Sequence, residues 1–306
     1  MNEALLKKLA RPLIVLATLI WGSTFVIMKD TLDSVPTFYL LAFRFTVAAA
    51  LLAVMFHKKW KLLNKPYLIS GAFMGTLLFA AYSVQTLGLA ETTPGKNAFL
   101  TAVYCVIVPF LYWIVSKRGP DRYNVAAALL CITGVGLVSL NADFSITRGD
   151  ALTLLGGIIY ACHIVTVSRM SQEKDVFLLT TVQFAVTAGL SWIFALIFED
   201  FPAAVSPQSV GWLVFLAVAA TAGALLFQNV GQKYTPPATA AVLLSLEAPF
   251  GIMFSVAAGS EKLTAQMCVG FAFIFVSILC SETKFSFLRK NRGATPTDSA
   301  CPENKA

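Results

Sequence analysis

Ten apolar runs, each long enough to cross a bilayer, occupy most of this chain. They cover approximately residues 12–30, 36–56, 66–88, 94–115, 121–140, 149–169, 176–198, 208–231, 237–259 and 263–282, with short links between them. In lipid every backbone N–H and C=O must be bonded within the protein, which leaves helices or a closed barrel. Runs of this length and continuous apolar character are helical, so the sequence predicts an all-α integral membrane protein with ten transmembrane helices. Composition agrees, with 57% hydrophobic and 13% charged residues in 306. A soluble protein carries nearer to about 25% charge.

The net charge of +7 does not point to nucleic acid, because the basic residues sit in links and tails. On one side of the expected membrane fall Lys7, Lys8 and Arg11; Lys58, Lys59, Lys61 and Lys65; Lys117, Arg118 and Arg122; Arg169 and Lys174; Lys233; and Lys284, Arg289, Lys290, Arg292 and Lys305. These make 18, against four on the other side, Lys29, Lys96, Arg148 and Lys262. The basic side faces the cytoplasm. The expectation is a multi-pass protein of the plasma (inner) membrane with both termini cytoplasmic. The links at Asp143–Arg148 and Glu199–Pro207 would lie outside. Lys7, Lys8 and Arg11 before an apolar stretch mimic a signal peptide. No small-x-small cleavage pattern follows cleanly, so the stretch reads as an uncleaved first span. Residues 283–306 form a cytoplasmic basic and polar tail, expected to be disordered beyond about Arg292.

Five of the six cysteines, Cys105, Cys131, Cys162, Cys268 and Cys280, fall inside the runs and read as small apolar fillers. Cys301 is alone in the tail. Neither a disulfide framework nor a metal set is expected.

The chain repeats itself. Trp21-Gly22-Ser23 aligns with Tyr160-Ala161-Cys162 at an offset of 139, and Phe43-Arg44-Phe45 with Val182-Gln183-Phe184 at the same offset. Gln85, Gly88, Thr92 and Pro94 align with Gln228, Gly231, Thr235 and Pro237 at 143. Val108-Pro109-Phe110 aligns with Ala248-Pro249-Phe250 at 140. The expectation is two five-helix halves, residues 12–140 and 149–282. Five is odd, so the second half enters the membrane from the opposite side. Inverted repeats of this kind are typical of secondary transporters, whose sites lie near the midplane between the halves.

With Trp21-Gly22-Ser23-Thr24-Phe25 in the first run, Arg44-Phe45 in the second and Leu246-Glu247-Ala248-Pro249 in the ninth, the chain resembles the EamA family of the drug/metabolite transporter superfamily. Gly259-Ser260-Glu261-Lys262-Leu263-Thr264, followed by Gly270, matches the family's usual "G-E-x-L-T…G" ending. The first half departs from that pattern, since Ser116-Lys117-Arg118-Gly119-Pro120 has no acidic residue. Glu261 therefore reads as an outer-loop cap for the tenth helix. The resemblance implies export or import of small metabolites, amino acids among them, without fixing the substrate.

By position alone Glu247 is the foremost candidate for function. It lies about ten residues into the ninth run, or roughly 15 Å deep, in a bilayer core about 30 Å thick. A charge there costs about 2.5–3.5 kcal/mol or more and marks a pathway, relay or binding site. The plainer alternative is a protonated Glu bonded to a neighbouring helix. Pro249, two residues later, is expected to kink a continuous helix, and Pro109 to do the same in the first half; both are candidate hinges.

Arg44, about eight residues into the second run, suits a substrate carboxylate, Glu247 or backbone carbonyls; Gln183 replaces it in the other half. His163 could carry protons or simply pack. Trp21, Tyr82, Tyr104 and Tyr160 lie deeper than interfacial aromatic belts and could wall a cavity. Gln85, Gln228 and Asn229 could bond neutral ligand groups or glue helices together. Lys96 could attract anions, but reads better as a solvated or headgroup-facing amine. The small pairs Gly71/Gly75, Gly134/Gly136 and Gly156/Gly157 read as close packing surfaces.

These residues predict a secondary active transporter that exports small metabolites by alternating access. No cofactor is expected beyond proton coupling through Glu247. The expected partners are a small-molecule substrate and the lipid bilayer, not nucleic acid, with the oligomeric state open between a monomer and an oligomer. A facilitative uniporter or importer of the same substrates is the alternative. There is no G-x-x-x-x-G-K-[ST] loop to drive transport with ATP. An intramembrane enzyme would need paired catalytic groups, which are missing, and a channel would want repeated polar rings.

Overall fold

The computed structural model describes residues 3–117, 119–139, 147–202, 204–260 and 262–283. The Glu261 cap, Cys301, most of the Asp143–Arg148 link and the tail beyond Thr283 lie outside the described residues. The regular structure is helical throughout: α1 (Glu3–Leu32), α2 (Thr37–Met55), α3 (Lys65–Glu91), α4 (Pro94–Thr101), α5 (Tyr104–Ser116), α6 (Arg122–Ser139), α7 (Arg148–Met170), α8 (Val176–Phe198), α9 (Pro207–Phe215), α10 (Ala224–Tyr234), α11 (Pro237–Leu244), α12 (Glu247–Ala257) and α13 (Ala265–Thr283). A 3-10 turn, His57–Leu62, follows α2, and a π-helical segment, Leu216–Gly223, joins α9 to α10.

Among the described residues eight spans are long and apolar enough to cross a bilayer: α1, α2, α3, α4 with α5, α7, α8, α9 through α10, and α11 with α12. α6 and α13 stand where the fifth and tenth runs are expected, with a shorter apolar stretch, Ala265–Ser277, in α13. Large apolar side chains such as Ile114, Leu129, Leu196, Phe198 and Met253 are exposed on the bundle's outer surface. An apolar surface of that extent suits lipid.

Helix starts are set by local chemistry. Asn64, Thr93, Thr147, Asp175 and Ser206 each cap a helix by accepting a backbone N–H. α2 follows Pro36 and lacks its own side-chain cap. The N–H groups of its second and third residues, Phe38 and Tyr39, are taken instead by the Glu199 carboxylate at 2.9–3.1 Å.

Links between helices sort onto two ends of the bundle. At the end where α1 and α3 finish, Lys29 donates to the carbonyls of Leu89, Ala90 and Thr92, and Lys96 pairs with Asp150 at 3.7 Å. At the opposite end Lys59 pairs with Asp175, and Gln172 donates to the Lys233 carbonyl at 3.2 Å. α2 packs on α8, α6 on α13, and α3 on α7 as α1 packs on α10. α4 lies against α12 while α5 lies against α11, so these two spans run antiparallel. Exchanging α1–α6 for α7–α13 leaves this pattern unchanged, which is the mark of an approximate two-fold relation between them.

One expectation is corrected. The ninth run is not a continuous helix kinked at Pro249. It breaks at Ser245–Leu246, and Pro249 is the third residue of α12. Pro249 has no N–H for the Ser245 carbonyl. The Ala248 N–H takes that carbonyl instead at 3.1 Å, and Leu246 bonds Leu243 at 3.2 Å, so the chain tightens to a three-residue spacing. The fourth run breaks likewise at Ala102–Val103, where Val103 bonds Leu100 at 3.4 Å. Pro109 lies inside α5, well past that break. The candidate hinges Pro109 and Pro249 thus sit on the second piece of each broken span.

Candidate functional site

The break places Glu247 as the first residue of α12, at the positive end of that helix, which favours a carboxylate. Its side chain is buried, with 6% exposure, and accepts the Tyr104 hydroxyl at 3.0 Å. Tyr104 is itself the first residue of α5. Two helix starts therefore face each other inside the bundle.

Around them lies a cavity with about 520 Å³ of unfilled space, its open side included. Trp21, Thr24, Phe25 and Met28 of α1 form one wall, and Tyr82, Gln85 and Leu89 of α3 another. Asn97, Thr101, Tyr104, Tyr160, Ile164, Leu225, Gln228, Leu244 and Glu247 complete it. Met28, Leu89 and Asn97 carry it toward the end where α1 and α3 finish. Gly156 permits the close approach of α7 to α3, since a Cβ there would already be tight against Gln85. Gly157 faces the break in the fourth run, where a Cβ would come within 2.9 Å of the Thr101 carbonyl oxygen.

The polar walls are bonded to one another. Tyr160 donates to Gln85 Oε1 at 3.0 Å, and Gln85 Nε2 donates to Thr101 at 2.9 Å. Asn97 Nδ2 donates to Thr153 at 2.7 Å and to the Gln85 carbonyl at 3.2 Å. Trp21 Nε1 donates to the Ala220 carbonyl at 2.8 Å, inside the π-helical segment. Tyr82 and Tyr160 meet edge to face with centroids 5.5 Å apart. Oriented groups locked in this way can recognise a small ligand without first being ordered.

Of the residues singled out in the sequence, Glu247, Trp21, Tyr82, Gln85, Tyr104, Tyr160 and Gln228 line this cavity, and Arg44, His163 and Gln183 do not. Arg44 is 1% exposed and donates from Nε to Thr221 at 2.6 Å, with its guanidinium 4.7 Å from the Tyr82 ring centroid. No carboxylate among the described residues pairs with it, so Arg44 and Glu247 do not form an ion pair here. Its repeat counterpart, Gln183, shares a hydrogen bond of 2.9 Å with His163 and accepts from Asn229 at 3.1 Å. Lys96, expected in solvent or headgroups, instead pairs with Asp150, which also accepts the Thr92 hydroxyl at 2.6 Å.

Sequence reasoning missed Thr24, Asn97 and Thr101 on the cavity wall. Asn97 and Thr101 are four residues apart, a spacing that puts them on one helix face and that was there to be read.

The model of the EamA-like transporter family matches this chain twice, at residues 9–140 and 147–283. The chain belongs to the EamA-like transporter family. An uncharacterized transporter of Archaeoglobus fulgidus is 33% identical over 264 residues, which cover 86% of this chain and 82% of that protein. A second from the same organism is 28% identical, covering 82% and 89%. The uncharacterized transporter YoaV of Bacillus subtilis is 22% identical over 89% of this chain and 96% of its own length. A crystal structure with a TM-score of 0.74 and 17% identity covers 93% of this chain and 99% of that one, a likeness of fold. This EamA-like chain is thus a multi-pass membrane protein of a transporter family.

Proposed function

We propose that this EamA-like protein is a secondary transporter that exports small organic solutes from the cell by alternating access. It would sit in the plasma membrane with both termini cytoplasmic, and the cavity would face outward. One observation carries the reading: a lone carboxyl group, Glu247, opens a half-helix deep in the bundle and faces a preformed cavity of aromatic and amide groups. Buried ionisable groups in spans mark coupling or substrate sites. Among the described residues no Lys or Arg lines the cavity. That favours a solute with an ammonium group or several N–H donors and an apolar body, as amino acids and related amines have. Such a solute and a proton would compete for Glu247, and that competition is a basis for exchanging one for the other. Among the described residues the lining has neither the paired catalytic groups of an intramembrane enzyme nor a repeated ring of polar groups.

Two steps test this. Thermal shift of the purified protein against a metabolite panel selects ligands. Counterflow of those ligands in proteoliposomes then separates a carrier, which shows it, from a channel, which does not. Ligands that stabilise the protein yet show no counterflow contradict the proposal.

A further inference from the structure

We infer that Asn97 is a second anchor for the solute, an acceptor that selects an amine whose other end is a neutral N–H donor, a carboxamide rather than a carboxylate. Resting on the transporter reading above, this narrows the substrate class of the same cavity.

Its neighbours fix what Asn97 can offer. The Nδ2 atom donates to Thr153 Oγ1 at 2.7 Å and to the Gln85 carbonyl at 3.2 Å. Thr153 donates its own proton to the Gly149 carbonyl at 2.8 Å. Both partners of the amide nitrogen can therefore only accept, so the amide cannot be turned over. Oδ1 is the atom that remains. It is buried and has no hydrogen-bond partner in the protein, on a fully buried side chain that lines the cavity. Among the described residues no other member of the lining has a buried side-chain N or O atom left in this way. A buried acceptor without a donor is costly, and the N–H of a bound solute is the donor that would relieve it.

The internal repeat supplies the second, independent support. Asn97 is the third residue after Pro94, and Ala240 is the third after Pro237, its aligned counterpart in the other half. Ala240 is fully buried and is not part of the cavity lining. A methyl group thus fills the equivalent place in α11, where the same kind of broken span begins. The architecture does not require a polar side chain at this position. An amide held with its oxygen unpaired is a feature of the cavity, not of the fold.

Glu247 and Asn97 ask for different groups. Asn97 precedes Tyr104, the partner of Glu247, by seven residues of the fourth span. Their backbone positions are therefore roughly 10 Å apart along it. An ammonium group suits the Glu247 carboxyl group, and Phe25, Leu225 and Leu244 give the lining an apolar part for the chain that joins the two ends. At the Asn97 end a carboxylate would meet an acceptor, and among the described residues the lining has no Lys or Arg to neutralise it. A second ammonium would meet only a neutral oxygen there, which does not offset the burial of a charge. A carboxamide N–H brings a donor and no charge.

Binding of matched probes to the purified full-length protein tests this. For each chain length in a series, an N-methyl ω-aminoalkanamide is compared with the methyl ester in which oxygen replaces the N–H, and with the free ω-aminoalkanoate. The amide is expected to bind about fivefold more tightly than the ester, the factor that a hydrogen bond of ordinary net strength confers. The carboxylate is expected to bind most weakly. In Asn97→Ala, which installs the residue of the other half, the ratio of amide to ester affinity should fall to about one. Asn97→Asp keeps an acceptor oxygen at this place and should keep the preference for the amide, which provides the test if Asn97→Ala does not fold. Equal binding of amide and ester by the wild-type protein at every length overturns the assignment, as does a preference that survives Asn97→Ala or is lost in Asn97→Asp. If the probes bind and show counterflow without discrimination, the transporter reading stands while the role of Asn97 falls. If no amine probe binds, the role of Asn97 also falls, and counterflow of the ligands found by thermal shift decides the transporter reading by itself.

Discussion

Tyr104 donates its hydroxyl to Glu247 Oε1 at 3.0 Å, and each of the two residues begins the second piece of a broken span. They are 143 residues apart, the offset that also relates Gln85 to Gln228. At the corresponding breaks of the two halves a phenol therefore faces a carboxyl group. Equivalent places in the two halves hold different chemistry, a phenol in one and a carboxyl group in the other.

Tyr104→Phe removes the donor and leaves one oxygen of a buried carboxyl group without its protein partner, a loss of about 1–3 kcal/mol. The thermal midpoint of the purified protein is expected to fall. In the double variant with Glu247→Ala, which removes the acceptor, the second substitution should cost less than it does alone, because the two groups are coupled. Strictly additive midpoint shifts would show that the 3.0 Å bond contributes nothing.

Gly157→Ala adds a methyl group within 2.9 Å of the Thr101 carbonyl oxygen, where α7 crosses the broken fourth span. Overpacking of this kind costs about 1–3 kcal/mol. A lower midpoint is expected, with a larger loss for Gly157→Val. Gly189, which has open space around it, is the control, and Gly189→Ala should not show such a loss. Equal behaviour of the two alanine variants contradicts the close approach.

Thr221→Val strips the Arg44 guanidinium of its 2.6 Å partner while keeping the volume of the side chain. Arg44 is buried and has no carboxylate partner among the described residues, so the lost bond is not easily replaced. A midpoint decrease reflecting about 1–3 kcal/mol is expected. Arg44→Lys should not rescue it, because an ammonium cannot reproduce the planar fork over Tyr82. A Thr221→Val protein as stable as the parent contradicts a structural role for Arg44.

Ala204→Cys, in the exposed link before α9, tests orientation. The 18-to-four Lys/Arg asymmetry predicts modification by an impermeant thiol reagent added to intact cells. Modification only after permeabilisation reverses the topology.

The helices were legible because apolar length alone dictates them, and the repeat was legible because Trp21, Gln85 and Pro94 have counterparts at steady offsets. Glu247 and the four deep aromatics stood out for being polar or amphipathic at membrane depth. Arg44 stood out for the same reason, yet it lies behind the cavity wall. Depth can be counted from the ends of a run, but the face a side chain presents depends on which helices pack against it. The breaks at Ala102–Val103 and Ser245–Leu246 were hidden in a different way. Each depends on hydrogen bonds tightening to a three-residue spacing, and at Ala102–Val103 no proline marks the place. Asp150 was overlooked at the start of its span, where a carboxylate looks solvated, although it is 1% exposed and bonded to Thr92.

Glu247 is the centre of the proposed exchange, and proton movement measures its role most directly. Proteoliposomes loaded with a pH-sensitive dye are exposed to a ligand found by thermal shift. Solute entry should drive protons out of wild-type vesicles. Glu247→Gln keeps the side chain's size and can still hydrogen-bond to Tyr104, but it cannot change charge. Its vesicles should show no solute-dependent proton movement and no accumulation under an imposed pH gradient, while counterflow, which needs no net proton transfer, persists. A Gln variant that still moves protons with the solute at the wild-type rate contradicts coupling through Glu247.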